Sequence, residues 1–202
     1  MNMFYEETKD IYRLRVLFEA LYTSVFLVKS PSGLILVDCA TTKEDVKECI
    51  VPALKKMGYD LSDIDKLVLT HSHGDHSGGL ATVLELSPNI EVIRDVREIF
   101  DGIFTIPMPG HTEDCIGVLD MRSNTLISGD SLQGAGVDKY RCYTENPLKY
   151  LDTVNRIKND GRIENILFSH AYEPWNSDRA VGRKAVENCL LECKKYINGE
   201  VK

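Results

Sequence analysis

Residues Ile11 to Leu17 alternate along the chain, with Ile11, Arg13, Arg15 and Leu17 on one side and Tyr12, Leu14 and Val16 on the other. A period of two predicts a strand. Tyr22 to Val28 is rich in β-formers, Ser30-Pro31-Ser32-Gly33 has turn chemistry, and Leu34 to Val37 resumes an apolar run. A hairpin is expected there, so the first sheet opens with antiparallel strands. Lys43 to Met57 places Val46, Ile50, Ala53, Leu54 and Met57 at helical spacing, with Gly58 closing the run and Pro52 expected to kink or split it. Asp65 to Thr70 reads as a buried strand, Leu80 to Leu86 as a short helix before Pro88, and Ile90 to Ile93 as a further strand. Cys115 to Leu119, Thr125 to Ser128 and Ile166 to Ser169 continue as strands, with Ser123-Asn124 as a turn. Pro147 to Lys158 and Arg179 to Ile197 carry amphipathic helical patterns.

At 202 residues, 43% hydrophobic and 27% charged, the chain suits a single globular domain spanning 1–202. A formal charge of −7 argues against a nucleic-acid partner, which needs a basic face. The start, Met-Asn-Met-Phe-Tyr-Glu-Glu, lacks the basic-then-apolar run of a secretory signal, and no apolar stretch is long enough to span a bilayer. The six cysteines form no C-x-x-C pair or disulfide framework, which fits reduced thiols in the cytoplasm. No signal specifies an oligomeric state.

One stretch changes this ordinary picture: Thr70-His71-Ser72-His73-Gly74-Asp75-His76-Ser77-Gly78-Gly79. Three of the five histidines lie within six residues, with a carboxylate among them. Neutral imidazole and carboxylate are the usual ligands of zinc-like ions, and a folded-back loop can converge them. The other two histidines, His111 and His170, and one aspartate, Asp130, also follow β-rich stretches. Ligands at strand ends on one sheet rim converge without being neighbours in sequence. Asp38 ends the Leu-Ile-Leu-Val run, either as a solvated strand-end charge or as an acceptor for the second ring N–H of a ligand histidine. Cys39 beside it fits a small buried residue better than a thiolate ligand.

Five imidazoles with Asp75 and Asp130 exceed what one tetrahedral zinc takes from a protein. They suffice for two ions about 3.5–4 Å apart sharing a bridging group, which activates a water near neutral pH and polarises a carbonyl or phosphoryl oxygen. The expected reaction is hydrolysis of a small molecule without a covalent enzyme intermediate.

His-x-His-x-Asp-His at 71–76, Pro-Gly-His at 109–111, Gly-Asp at 129–130 and Ser-His at 169–170 resemble the metallo-β-lactamase fold superfamily across nearly the whole chain. The resemblance implies an α/β fold, a four-layer αββα sandwich of two mixed sheets flanked by helices. It implies that His71, His73 and His111 bind one metal, that Asp75, His76 and His170 bind a second, and that Asp130 bridges them. Zinc is the expected metal, two ions per chain, with iron or manganese as substitutes. Asp75 would also orient the bridging hydroxide and relay a proton to the leaving group, and Asp38 matches the family's aspartate beside the ligands.

Aspartate at 130, where well-known lactam-cleaving subgroups carry cysteine, together with Gly129-Asp130-Ser131-Leu132 and Pro109-Gly110-His111-Thr112, is most similar to glyoxalase II-type hydrolases. Only 32 residues follow His170, fewer than that enzyme's glutathione-gripping helical domain needs, and Gln133 stands where acyl-homoserine lactonases place tyrosine. The resemblance therefore implies a hydrolase of a small ester, thioester or lactone. The competing readings are an iron-dependent, persulfide dioxygenase-like oxidoreductase and a β-lactamase-like or phosphodiester hydrolase. In the loop after Asp130, Lys139, Tyr140, Arg141 and Tyr143 are candidates to grip an acid group or an acyl chain, or else simply to anchor a surface loop. Tyr172 and Trp175 fit ordinary packing better than a pocket rim.

Overall fold

The computed structural model describes residues 3–18, 21–132, 143–171 and 177–198. The chain divides into two compact units, Met1–Asp95 and Val96–Lys202.

The first unit is built on a six-stranded sheet in the order β1-β2-β3-β4-β5-β6. Its strands are β1 (Tyr5–Thr8), β2 (Ile11–Phe18), β3 (Leu21–Ser30), β4 (Gly33–Val37), β5 (Lys66–Val68) and β6 (Glu91–Ile93). The first four pair antiparallel, and β4, β5 and β6 run parallel. One sheet face buries Leu14, Val16, Val25, Leu27, Leu36 and Leu67 with Val46, Ile50, Leu54 and Val83. Phe26, Val28, Ile35, Val37 and Val68, on the opposite face, are also fully buried. Burial on both faces explains why these strands read as continuous apolar runs instead of alternating.

The split expected at Pro52 is present. Wide π-type turns over Asp45–Ile50 run into α1 (Val51–Lys56), with Pro52 in its first turn. Proline has no N–H to give and crowds the carbonyl four residues back, and the wider turn relieves both problems. The chain continues through a single turn, α2 (Gly74–Ser77), and α3 (Leu80–Leu86).

Arg13 departs from the simple alternation of β2. It is fully buried, with its Nε on Glu7 Oε1 at 2.5 Å, a guanidinium N–H donating to Ser24 Oγ at 2.9 Å, and the group 4.7 Å above the Phe26 ring. Glu7 belongs to β1, a strand the alternation pattern does not announce.

The second unit carries a six-stranded sheet in the order β12-β11-β10-β9-β8-β7. Its strands are β7 (Glu98–Phe100), β8 (Ile103–Pro107), β9 (Ile116–Asp120), β10 (Thr125–Ile127), β11 (Asn165–Leu167) and β12 (Arg179–Val181). Only β10 and β11 pair in parallel, and the other neighbours are antiparallel. Helices α4 (Pro147–Asn159) and α5 (Arg183–Ile197) pack Tyr150, Val154, Ile157, Val186 and Leu190 onto Leu119, Leu126, Ile166 and Phe168. The helix expected from Arg179 begins at Arg183. Residues 179–181 instead pair with β11, and Gly182, with φ +84°, turns the chain into the helix. Among the described residues, no helix is long and apolar enough to cross a membrane.

Candidate metal centre

In the first unit the parallel ladder brings two strand ends together. β4 and β5 register Val37 against Val68, and Asp38 N–H donates to the Val68 carbonyl at 2.8 Å. Asp38 and Thr70 therefore emerge side by side at the carboxyl edge of the sheet, where open α/β sheets place their ligands. Asp38 and Ala40 have left-handed backbone, φ +63° and +59°. For residues other than glycine this is uncommon, though aspartate tolerates it better than most.

That turn is laced to the histidine loop. Cys39 N–H donates to the His76 carbonyl at 2.8 Å, and Gly79 N–H donates to the Ala40 carbonyl at 3.2 Å. A Cβ on Gly78 would lie 2.0 Å from the Thr41 carbonyl oxygen, and one on Gly79 would lie 2.2 Å from that of Cys39. The glycine pair is there because two backbones touch. The Cys39 thiol rests on the His76 carbonyl at 3.4 Å, and burial pushes its pKa up to about 12, with the Asp38 charge adding to the shift. A small buried thiol is what the structure contains.

Asp38 is fully buried and organises the loop. Its Oδ1 accepts Thr70 N–H at 2.8 Å, and its Oδ2 accepts the Thr70 hydroxyl and faces His76 Nδ1, both at 2.8 Å. With Nδ1–H given to Asp38, His76 Nε2 keeps its lone pair and lies 3.2 Å from Asp75 Oδ2. His71 and His76 are buried and His73 is half-buried. The His71 ring stands 4.7 Å from that of His73 and 4.2 Å from that of His76. The ligand atoms of His71 and His73 approach within 4.8 Å of one another, as do those of Asp75 and His76.

In the second unit, β8, β10 and β11 point the same way, because β9 runs antiparallel to both β8 and β10 and β10 is parallel to β11. Their carboxyl ends lead to His111, Asp130 and His170. Gly110, with φ +142°, precedes His111, and a Cβ there would sit 2.5 Å from Tyr150 Cα. Only glycine lets this loop lie on α4. His111 Nδ1 donates to the Tyr143 carbonyl at 2.6 Å, while Glu145 N–H and Asn146 N–H donate to the His111 and Gly110 carbonyls at 3.1 and 3.0 Å. Asp130 stands between the two histidines, Oδ1 at 3.3 Å from His170 Nε2 and Oδ2 at 3.7 Å from His111 Nε2.

The donor chemistry fits divalent metal ions. His76 and His111 each commit Nδ1–H to a fixed acceptor and turn a lone-pair Nε2 toward a carboxylate. Two lone-pair atoms face each other favourably when a cation lies between them. The first unit thus offers His71, His73, Asp75 and His76, and the second offers His111, Asp130 and His170.

Of the loop candidates, the Tyr143 ring is exposed and stands edge-on to His111, with centroids 5.9 Å apart. Its carbonyl, as partner of His111, is a role that no side-chain pattern announces. Lys139, Tyr140, Arg141, Gln133, Tyr172 and Trp175 lie outside the described residues.

The model of the metallo-beta-lactamase superfamily matches residues 19–100. The chain is 29% identical over 130 residues to an atrochrysone carboxyl ACP thioesterase from Pseudocercospora fijiensis, covering 56% of this chain and 38% of that protein. It is 24% identical over 164 residues to a hydroxyacylglutathione hydrolase from Vibrio campbellii, covering 73% and 64%. The chain thus spans less than two thirds of the length of these curated relatives. The metallo-beta-lactamase FIM-1 from Pseudomonas aeruginosa superposes with a TM-score of 0.76 at 17% identity, over 98% of this chain and 96% of that one. The likeness is one of fold: two mixed six-stranded sheets flanked by helices, as in the metallo-beta-lactamase fold.

Proposed function

The chain is a metallo-beta-lactamase-fold protein, and from that premise we propose that it is a dinuclear metal-dependent hydrolase of a small ester, thioester or lactone. On the family resemblance, His71, His73 and His111 would hold one divalent ion, and Asp75, His76 and His170 a second, with Asp130 serving both. Zinc suits this set of imidazoles and carboxylates. When bound, such ions lower the pKa of water to about 7 and polarise the scissile carbonyl.

The chain's own groups do the rest. Asp38, through His76 Nδ1, and the Tyr143 carbonyl, through His111 Nδ1, fix which ring nitrogen faces inward. Asp75 keeps some exposure, its side chain 13% accessible against 0% for His76. It accepts the proton of the attacking water and passes it to the departing oxygen or sulfur. His71 and Asp130, just past strand ends, and His76, in the α2 turn, are buried and hold their positions without solvent reorganisation.

The single observation that carries the reading is the His76 arrangement: Nδ1 on one carboxylate and the lone-pair Nε2 facing another. The named activities of the thioesterase and hydrolase relatives support the choice of a carbonyl substrate. The test is metal analysis after gentle purification, with a panel of thioesters, lactones, esters, β-lactams and phosphodiesters assayed with zinc, manganese and iron forms. Two ions per chain and hydrolysis of a thioester, ester or lactone are expected. Asp130→Ala should lose bound metal and turnover while keeping its fold. One iron per chain with oxygen consumption would sink the hydrolase.

A further inference from the structure

We propose that the Thr70 hydroxyl is a positioning group that ties two histidines, His71 and His76, to the one carboxylate of Asp38. This rests on the dinuclear reading above, in which those histidines hold different ions.

Thr70 Oγ1 has one proton, and the Asp38 carboxylate, 2.8 Å away, has only lone pairs to offer it. The hydroxyl proton therefore points at Asp38, and the Oγ1 lone pairs face the remaining neighbours. His71 Nδ1 lies 3.2 Å from Oγ1, and that contact is attractive only when Nδ1 carries a proton. His76 Nδ1 lies 2.8 Å from Asp38 Oδ2 and must also be protonated, with Thr70 Oγ1 a longer 3.5 Å from the same atom. Both rings are thereby set to the tautomer that leaves Nε2 as the metal-binding nitrogen.

Thr70 also holds the carboxylate itself. Its N–H takes Oδ1 at 2.8 Å while its hydroxyl takes Oδ2, so one residue fixes the rotation of the Asp38 plane. All four residues are essentially inaccessible, where a misdirected donor has no water to turn to. A β-branched residue is stiff at χ1, which keeps the hydroxyl aimed. Thr70 thus links His71 to Asp38, whereas His76 reaches it directly.

Loss of the hydroxyl should act asymmetrically on the two histidines. Thr70→Val keeps the shape and removes the hydroxyl, so affinity for the ion held by His71 should fall by about 10–100-fold, the usual range for such outer partners. The His76 ion should be affected less, and Thr70→Ser should restore both. Zinc affinity is read by competition with a chromogenic chelator, resolving two binding steps. Two wild-type steps, one of them weakened in Thr70→Val and recovered in Thr70→Ser, support the proposal. Unchanged affinities in Thr70→Val would overturn it and leave the dinuclear reading standing, whereas a wild-type chain that takes up no metal would overturn both. A second measurement does not depend on the valine variant folding. In the metal-free wild type, nitrogen NMR should find His71 protonated at Nδ1, and a proton on Nε2 refutes the inference.

Discussion

Replacing Asp38 with asparagine changes one atom in a fully buried cluster, and its consequences can be worked through. The carboxylate accepts three contacts at 2.8 Å, from Thr70 N–H, the Thr70 hydroxyl and His76 Nδ1. The amide oxygen can keep the backbone bond, but its NH2 then faces two donors. Hydrogen bonds to charged groups contribute about 1.5–3 kcal/mol each, so losing two removes roughly 3–6 kcal/mol. Burying a neutral amide costs less than burying a carboxylate, and the Thr70 hydroxyl can rotate to accept, which offsets part of the loss. We expect a net destabilisation of about 2–4 kcal/mol. His76 can recover a bond by accepting the amide proton at Nδ1, which moves its own proton to Nε2. On the proposed dinuclear reading, that nitrogen then ceases to be a ligand, and the affinity of the ion it would hold should fall about 10–100-fold.

Urea unfolding of metal-free wild type and Asp38→Asn measures the first effect without contributions from metal binding. Chelator competition on the folded proteins measures the second. A variant as stable as the wild type with unchanged metal affinity would refute the view that Asp38 organises the histidine loop.

Other perturbations follow from the same geometry. Gly79→Ala would drive a Cβ to 2.2 Å from the Cys39 carbonyl oxygen and 2.6 Å from Val46 Cγ2. It should cost about 1–3 kcal/mol or more in urea unfolding, and a neutral result would mean that the two loops do not touch. Arg13→Met should destabilise by about 3–5 kcal/mol by stranding Glu7, whose side chain is only 1% accessible. The double variant Arg13→Met with Glu7→Gln should recover part of that loss in the same assay. Iodoacetamide at neutral pH should modify half-exposed Cys49 well ahead of Cys39, whose thiol is buried and pushed up to about 12. Equal labelling rates by peptide mass spectrometry would contradict that burial.

Much of the local structure was legible in the chain. The alternation of Ile11 to Leu17, the turn at Ser30 to Gly33 and the Pro52 interruption all correspond to observed elements. Their causes act within a few residues: side-chain period, turn stereochemistry and a missing N–H. Strands β1, β7 and β12 escaped because short edge strands depend on a neighbour for pairing. Residues 179–181 look helical by composition, and their pairing with β11 outweighs that local preference.

The candidate site divides along the same line. The sequence by itself determined the inventory of imidazoles and carboxylates and their attachment to the ends of apolar strands. Only the tertiary structure decided which of them meet. Asp38 and Thr70 are 32 residues apart and are joined by the parallel β4–β5 register, and His111 finds its acceptor 32 residues away in the Tyr143 carbonyl. Residue identity states what a group can donate or accept, whereas its partner is chosen by strand pairing between distant segments, and no local pattern carries that choice.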